Sequence, residues 1–287
     1  MIDRYERWCD RVLPFDGAAR AEKHRRMSAS PFAFLRASYP VWLDRFGSDA
    51  AHAMPAVPLA VGDLHVENFG TWLAPAGEVF GVNDYDETGP APFTNDLVRL
   101  AASAVLAVHA GHLRLGPDDI AEHLWAGYTE ATPAAAGVAL ADAAVPEAPA
   151  VAAMWRAAQP GAERFWHGID ALPEAPPGGA VAAPAPGFEL RTRRSRVAGL
   201  GSRDRLRLVL DGDLARARAA FERKPIAPAA ARFDRGDDPV VDAGPYAGIL
   251  RRQHERTPRL QPQVRVEGDV VVRRLDPDRG RIEIVDL

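Results

Sequence analysis

"VGDLHVENFG", Val61 to Gly70, sets two carboxylates, a histidine and an asparagine within ten residues, and "VFGVNDYDE", Val79 to Glu87, follows with three more acids and another asparagine. Short apolar runs of strand length hold these groups: "VPLAVGD" from Val57, then "NFGTWL" and "EVFGVND", with "APAG" between the last two. Pro75 and Gly77 supply turn chemistry, so Phe69 to Val82 reads as a β-hairpin. The hairpin puts Asp63 and Asn68 near its entrance and Asp84 at its exit. Taken as a unit, these three suit the acidic half of a phosphoryl-transfer site. A carboxylate beside a substrate hydroxyl orients it and accepts its proton, while an amide oxygen and a second carboxylate hold Mg²⁺ against phosphate oxygens.

Upstream, the first sixty residues read as helices broken by loops. In "SPFAFLRASYPVWLDRFG", Ser30 caps and Pro31 starts a helix, with Phe34 and Leu35 facing inward. Downstream, after the loop "TGPAPFT", comes "NDLVRLAASAVLAVHAGHL". Leu97, Leu100, Ala101, Ala104, Val105 and Val108 share one helical face, Asn95 caps the start and Gly111 helps end it. A second helix, "PDDIAEHLWAGYTEA", starts at Pro117. His109, His112 and His123 then read as helix-surface or satisfied core histidines and not as a ligand set.

Leu172 to Gly187, "LPEAPPGGAVAAPAPG", has linker composition and marks a boundary, with 1–180 and 181–287 as the two expected units. The second unit reads as β-rich. "FELRTRRSRVAGLGSRDRLRLVLDGD" alternates around a glycine-containing turn, and "PQVRVEGDVVVRRLDPDRGRIEIVDL" gives a second strand series. "LARARAAFERKPI" has the composition of a helix, whereas a strand suits a β-rich unit. Arg191 to Arg196, "RTRRSR", reads as a solvated strand edge. Gly199 and Gly201 lack the side chains that keep backbone N–H groups away from phosphates.

Composition removes several function classes. A chain of 287 residues with 47% hydrophobic content can bury a sizeable core. Its formal net charge of -4, without a basic block interleaved with aromatics, argues against nucleic acid as a partner. Cys9 is the single cysteine, which rules out an internal disulfide and a cysteine zinc cluster and favours a reducing compartment, the cytoplasm. The charged start "MIDRYERWCDRVLPF" is no signal peptide, and no run approaches the roughly 20 apolar residues that span a bilayer, so no membrane association is expected. Of 35 basic residues, only Lys23 and Lys224 are lysine.

"GDLHVEN" resembles the catalytic loop of the aminoglycoside phosphotransferase and choline kinase group, in the protein-kinase-like superfamily, whose pattern is His-Gly-Asp-Leu-His-x-x-Asn. Val61 stands where that pattern has its first His. The resemblance implies catalytic roles for Asp63 and His65 and metal binding by Asn68. "NDYD" is similar to that group's Ile-Asp-Phe-Asp stretch, which implies metal binding by Asp84, with Asp86 as a second contact. "NDLVRLAAS" resembles the helix start whose Asp ties the helix to the catalytic loop, a structural role for Asp96. The string from "RMSASPFAFLRAS" through "NDYDETGPAPFTNDLVRLAAS" resembles an uncharacterised bacterial family known as domain of unknown function 2252, well over about the first 110 residues and loosely beyond. That family has a glycine-rich stretch followed by a lysine, which here implies Gly199, Gly201 and Lys224 as nucleotide contacts. The Lys224 side chain suits a compact point charge on phosphates, a role in which Arg is not equivalent.

The expectation is an α+β, protein-kinase-like two-lobed fold, circularly permuted, with the helical catalytic lobe first and the β-rich nucleotide lobe second. Its implied cofactors are ATP and Mg²⁺, and its partners a nucleotide and a small-molecule or protein acceptor. Two alternatives stand beside it. One is a nucleotide-binding scaffold without turnover. The other is a metal-dependent phosphoesterase, since Asp63-Leu64-His65 fits the Asp-x-His fragment of such sites.

Overall fold

Four helices fill the first 47 residues: α1 (Ile2–Cys9), α2 (Gly17–Met27), α3 (Pro31–Ala37) and α4 (Tyr39–Trp42). The computed structural model describes residues 1–47, 59–130, 137–139, 153, 157, 161–178, 181–260 and 263–277. The starting residues of the Val57 run and the strand series beyond 277 lie outside the described residues. Ser30 caps α3 as its sequence suggests, with its Oγ accepting from Ala33 N at 3.1 Å. Phe34, expected inside, is instead 44% exposed, while Leu35 is buried. The Leu35 carbonyl accepts from Arg99 at 2.6 Å.

The hairpin forms in the expected place. Strands β2 (Phe69–Ala74) and β3 (Gly77–Val82) pair antiparallel from Phe69↔Val82 to Ala74↔Gly77. A short bridge of β1 (Leu59–Ala60) with β4 (Gly89–Pro90) draws together the segments before and after it, and β5 (Gly137–Ala139) adds to β3. Helices α5 (Phe93–His109) and α6 (Pro117–Glu130) follow the hairpin. Asn95 is not the cap of α5, because the helix already begins at Phe93 behind Pro92. Its buried amide instead accepts from Trp42 Nε1 at 2.5 Å and donates to Tyr39 Oη at 3.2 Å, joining α5 to α4.

The second half is organised by a five-stranded antiparallel sheet of order β6-β7-β8-β10-β9. Its strands are β6 (Glu189–Arg196), β7 (Arg207–Leu214), β8 (Ala217–Pro225), β9 (Val264–Glu267) and β10 (Val270–Leu275). "LARARAAFERKPI" therefore becomes β8: pairing on both sides, with β7 and β10, overrides its helical composition. Side chains alternate across this strand. Ala219 and Phe221 pack with Phe188, Leu210 and Val272 on one face. On the other, Ala220 packs with Val209, Leu275 and Ile169, the last on helix α7 (Gly161–Asp170).

Some described residues of the stretch read as a linker pack against the sheet, while most of the others are exposed. Pro184 is fully buried, Val181 and Ala185 lie against the Phe188–Phe221 cluster, and Leu172 packs beside Ile169. Backbone bonds Ala175 N to Arg193 O (2.9 Å) and Ser195 N to Pro173 O (2.8 Å) cover the open edge of β6. Covering an edge strand satisfies its free backbone groups, and proline-rich segments do so readily. Beyond the sheet, α8 (Ala230–Asp234) returns to the N-terminal helices, with Ala230 in one core with Tyr5, Trp8, Cys9, Tyr39 and Leu43. Helix α9 (Gly244–Arg256) adds Tyr246 to a core with Tyr85, Ile226 and Val271. The result is a mixed α+β chain with small sheets. Among the described residues no helix is long and apolar enough to cross a membrane.

Candidate functional site

The Val61–Asn68 loop is fixed from below by α5. Asp96, in the first turn, accepts from Val61 N at 2.7 Å and Gly62 N at 2.9 Å. Ser103, two turns on, accepts from Val66 N at 3.0 Å. Gly62 has φ +95°, and a Cβ there would lie 2.3 Å from the Glu87 carbonyl oxygen. Only glycine permits that crossing, which sets the two acidic motifs side by side.

Asp96 is buried, and burial raises its carboxyl from the ordinary 3.8 to about 6 against the pull of its two backbone donors. Between these values the folded chain holds more protons than the unfolded one, so this group makes stability fall as pH rises from about 4 to 6, by about 1.4 kcal/mol per unit at the steepest. Asp96→Asn should remove that contribution. Urea unfolding at pH 4 to 7 should then show a shallower decline in the variant than in the wild type; equal slopes would refute it.

Asp63 projects toward a cavity of about 720 Å³ that it lines with His65, Asn68, Asp84 and Asp86. Arg99 from α5 grips one of its oxygens: Nε donates to Oδ1 at 2.8 Å and Nη2 contacts the same atom. Oδ2 carries no protein hydrogen bond among the described residues. Arg99, 1% exposed, is itself held by the Leu35 carbonyl and the faces of Tyr39 and Trp42. Burial raises the Asp63 carboxyl above its ordinary value, with Arg99 opposing the rise and Asp84 adding to it. A carboxylate with one oxygen anchored, the other open and its basicity raised has the attributes of a positioned base.

The hairpin ladder continues past β2 and β3, with Asn83 N donating to Asn68 O at 2.8 Å. That extension brings Asn68 to Asp84. Asn68 Nδ2 donates to the carbonyls of Asp63 at 3.1 Å and Asp84 at 3.2 Å, which fixes the amide orientation and leaves Oδ1 as its acceptor. In "NDYD" the extended backbone alternates: Tyr85 goes into the core, where its hydroxyl accepts from Gln253 at 2.7 Å, and Asp84 and Asp86 go the other way, into the cavity. Asp86 Oδ1 is buried without a hydrogen-bond partner. Asn68 Oδ1, Asp84 and Asp86 thus offer a hard, all-oxygen donor set that fits a magnesium ion.

Lys224, far along the chain on β8, closes the group. Its ammonium lies 2.6 Å from Asp84 Oδ2 and also contacts Asp86 Oδ2, and the residue is 5% exposed. Desolvation in the cavity opposes ionising Asp84, but Lys224 and the Asp86 contact outweigh it and hold Asp84 well below the usual carboxylate range. Asp86 moves the other way, raised by burial and by its ionised neighbour.

Gly199 and Gly201 lie in the loop between β6 and β7 and line the same cavity. Gly199 has φ +76° and abuts Arg207 and Ser202; a Cβ on Gly201 would come 3.3 Å from the Arg36 carbonyl. The loop is gripped from outside by Arg20, whose Nε donates to Asp204 at 2.9 Å, and by Asp16 N donating to Asp204 O at 2.8 Å. Asp63, His65, Asn68, Asp84, Asp86, Gly199 and Gly201 all line this cavity, and Lys224 reaches it through the two aspartates.

Several groups at the site were not singled out. Glu222, fully buried on β8, binds three arginines: Arg196 at 2.9 Å, Arg207 at 3.0 Å and Arg273 at 2.6 Å. Glu67 pairs with Arg36, and Glu87 accepts from Ala230 N at 2.8 Å. Arg99 escaped notice because the apolar stripe of α5 points one residue away; its most buried positions include Arg99, Ser103 and Ala107. Strand alternation in "AAFERKP" was the available signal for Glu222, since it places Glu222 and Lys224 on one face. His109 and His123 are exposed on helices, the latter bonded to the Asp119 carbonyl at 2.6 Å.

No curated protein and no solved structure matches the chain. Residues 17–159, the stretch that carries Asp63, Asn68, Asp84, Asp96 and Arg99, match the model of a family described as uncharacterized protein conserved in bacteria (DUF2252), and the match supports placing the chain in that family.

Proposed function

We propose that the protein is an ATP- and Mg²⁺-dependent phosphotransferase acting on a hydroxyl acceptor, with a permuted kinase-like arrangement in which residues 1–180 supply base and metal ligands and 181–287 supply the nucleotide grip. The observation that carries this reading is the approach of Lys224 to Asp84 and Asp86, made across 140 residues of sequence. A lysine and two acids in contact, beside an amide oxygen and a third carboxylate, Asp63, make the charge pattern of a metal-phosphate site before its ligand arrives. The resemblance to aminoglycoside phosphotransferases and choline kinases supplies the choice of ATP.

In the reaction, Asp63 Oδ2 orients the acceptor hydroxyl and takes its proton, while Arg99 keeps the carboxylate from turning away. Asn68 Oδ1, Asp84 and Asp86 would hold a magnesium ion, which when bound would supply charge neutralisation at the phosphate oxygens. Lys224, released from the acids, provides a positive charge for the same oxygens, and the Gly199–Gly201 backbone admits close approach. His65, buried beside Phe32 with ring centroids 6.5 Å apart, buttresses the loop. Asp84→Ala should reduce Mg²⁺-dependent ATP binding by at least about tenfold, by calorimetry, because it removes a charged ligand. Unchanged binding would refute the metal assignment.

A nucleotide-binding scaffold without turnover is favoured by one observation, Val61 in the place where the resembling catalytic loops have their first histidine. Incubation with γ-labelled and α-labelled ATP and cell extract decides between them: label transferred from either supports an enzyme, and tight Mg²⁺-ATP binding without transfer supports the scaffold.

A further inference from the structure

The cavity face of the five-stranded sheet holds more positive charge than its fold requires. Arg196, Arg207 and Arg273 come from three different strands and meet on a single carboxylate, Glu222. One glutamate offsets one of three guanidiniums. Counting the neighbouring acids does not restore balance: Glu222, Asp84 and Asp86 face these arginines and Lys224, leaving a net positive charge. A magnesium ion at Asn68, Asp84 and Asp86 would add two more. Uncompensated charge in a buried site is costly, so a site built this way is completed by an anion.

Hydrogen-bonding capacity gives the same answer independently. A guanidinium has five N–H donors, and Glu222 can accept only a few of the fifteen or so that surround it. Arg207, with a 5% exposed side chain, and Arg273 each keep a buried Nε–H without a hydrogen-bond partner. Burial and the two neighbouring guanidiniums push the Arg196 pKa down despite its bond to Glu222, whereas Glu222 and Asp84 overcome burial and hold that of Arg273 up. All three arginines line the cavity that Asp63, Asp84 and the glycine loop share. Guanidinium groups match phosphate geometry through paired donors, which a single ammonium cannot do.

We infer that Arg196, Arg207 and Arg273 form an anion subsite for an oligophosphate chain, occupied without metal and distinct from the Lys224 and magnesium contacts. The inference rests on the reading of the cavity as a phosphate site but not on transfer. An oligophosphate carries more charge and more acceptor oxygens than orthophosphate, and so suits the guanidinium donors from β6, β7 and β10 that the single Glu222 carboxylate leaves unused. A nucleoside triphosphate and inorganic polyphosphate share this chemistry.

The test is calorimetry of the full chain in EDTA with inorganic tripolyphosphate, ATP and orthophosphate. Tripolyphosphate should bind without metal, orthophosphate at least tenfold more weakly. ATP binding more tightly than tripolyphosphate identifies a nucleoside ligand, and the reverse identifies inorganic polyphosphate. Arg207→Met and Arg273→Met should each weaken metal-free binding at least tenfold and Arg196→Met several-fold. Arg223→Met, on the opposite face of β8, should leave it unchanged. If Arg207→Met fails to fold by circular dichroism, Arg196→Met and Arg207→Lys decide, since both spare the buried Glu222 a loss of most of its partners. No metal-free binding by the wild type, or equal binding by all arginine variants, overturns the inference. Arginine-dependent binding in EDTA without phosphate transfer under any condition leaves this subsite standing and overturns the transferase reading alone.

Discussion

Asp63→Asn is expected to lower phosphate transfer by about 10²–10⁴-fold while Mg²⁺-dependent ATP binding stays within about twofold of wild type. The substitution removes the basic Oδ2 but keeps an oxygen for Arg99. That choice matters, because alanine at this position would leave Arg99, 1% exposed, as a buried cation with only the Leu35 carbonyl and two aromatic faces. Loss of folding would then masquerade as loss of chemistry. Single-turnover transfer and calorimetric binding, measured on the same preparation, separate the two. A variant that transfers at the wild-type rate would remove Asp63 from the mechanism, and one that also loses nucleotide would make it a binding residue.

The largest stability effect is expected at Glu222. Its carboxylate is fully buried and joined to Arg196, Arg207 and Arg273; burial opposes its ionisation, but the three guanidiniums hold it ionised far below the usual range. Removing one partner of a buried ion pair costs about 3–5 kcal/mol because the other charge is stranded. Glu222→Ala strands three, on the central strand of the sheet. Urea denaturation should place it at least that far below wild type, or show no cooperative unfolding. Tripolyphosphate should rescue part of the loss, since an anion that binds only the folded chain stabilises it by mass action. A loss below about 1 kcal/mol, in the range of exposed pairs, would mean that the cluster is solvated.

How much of this was legible in the sequence follows from the range of the signals. Local periodicity and turn chemistry suffice for the hairpin and for the helix starts at Pro31 and Pro117, because each is decided within a few residues. The side of α3 that faces inward was not legible. Phe34 is the more apolar choice, yet the Leu35 carbonyl turns in to meet Arg99, a contact across 64 residues. In the Leu172–Gly187 segment the proline and alanine content describes a chain with few donors, and the sequence did not show that Pro173 and Ala175 bond to the edge of β6. Asn95 looked like a cap by type, but the cap position was already passed, and a buried amide between Trp42 and Tyr39 is invisible to pattern. At the site, residues on the hairpin could be grouped from spacing alone. Glu222 and its arginines could not, since their meeting depends on strand order.

The Lys224–Asp84 contact also has a consequence for when the site comes into being. Asn68 meets Asp84 over a separation of 16 residues and Arg99 meets Asp63 over 36, whereas Lys224 must be brought 140 residues back. Closing the longer loop is entropically dearer, and contacts of that range form late in folding. During synthesis Asp84 and Asp86 are therefore made about 140 residues before the lysine that meets them, and the charge balance of this part of the site is complete only once β8 has joined the sheet.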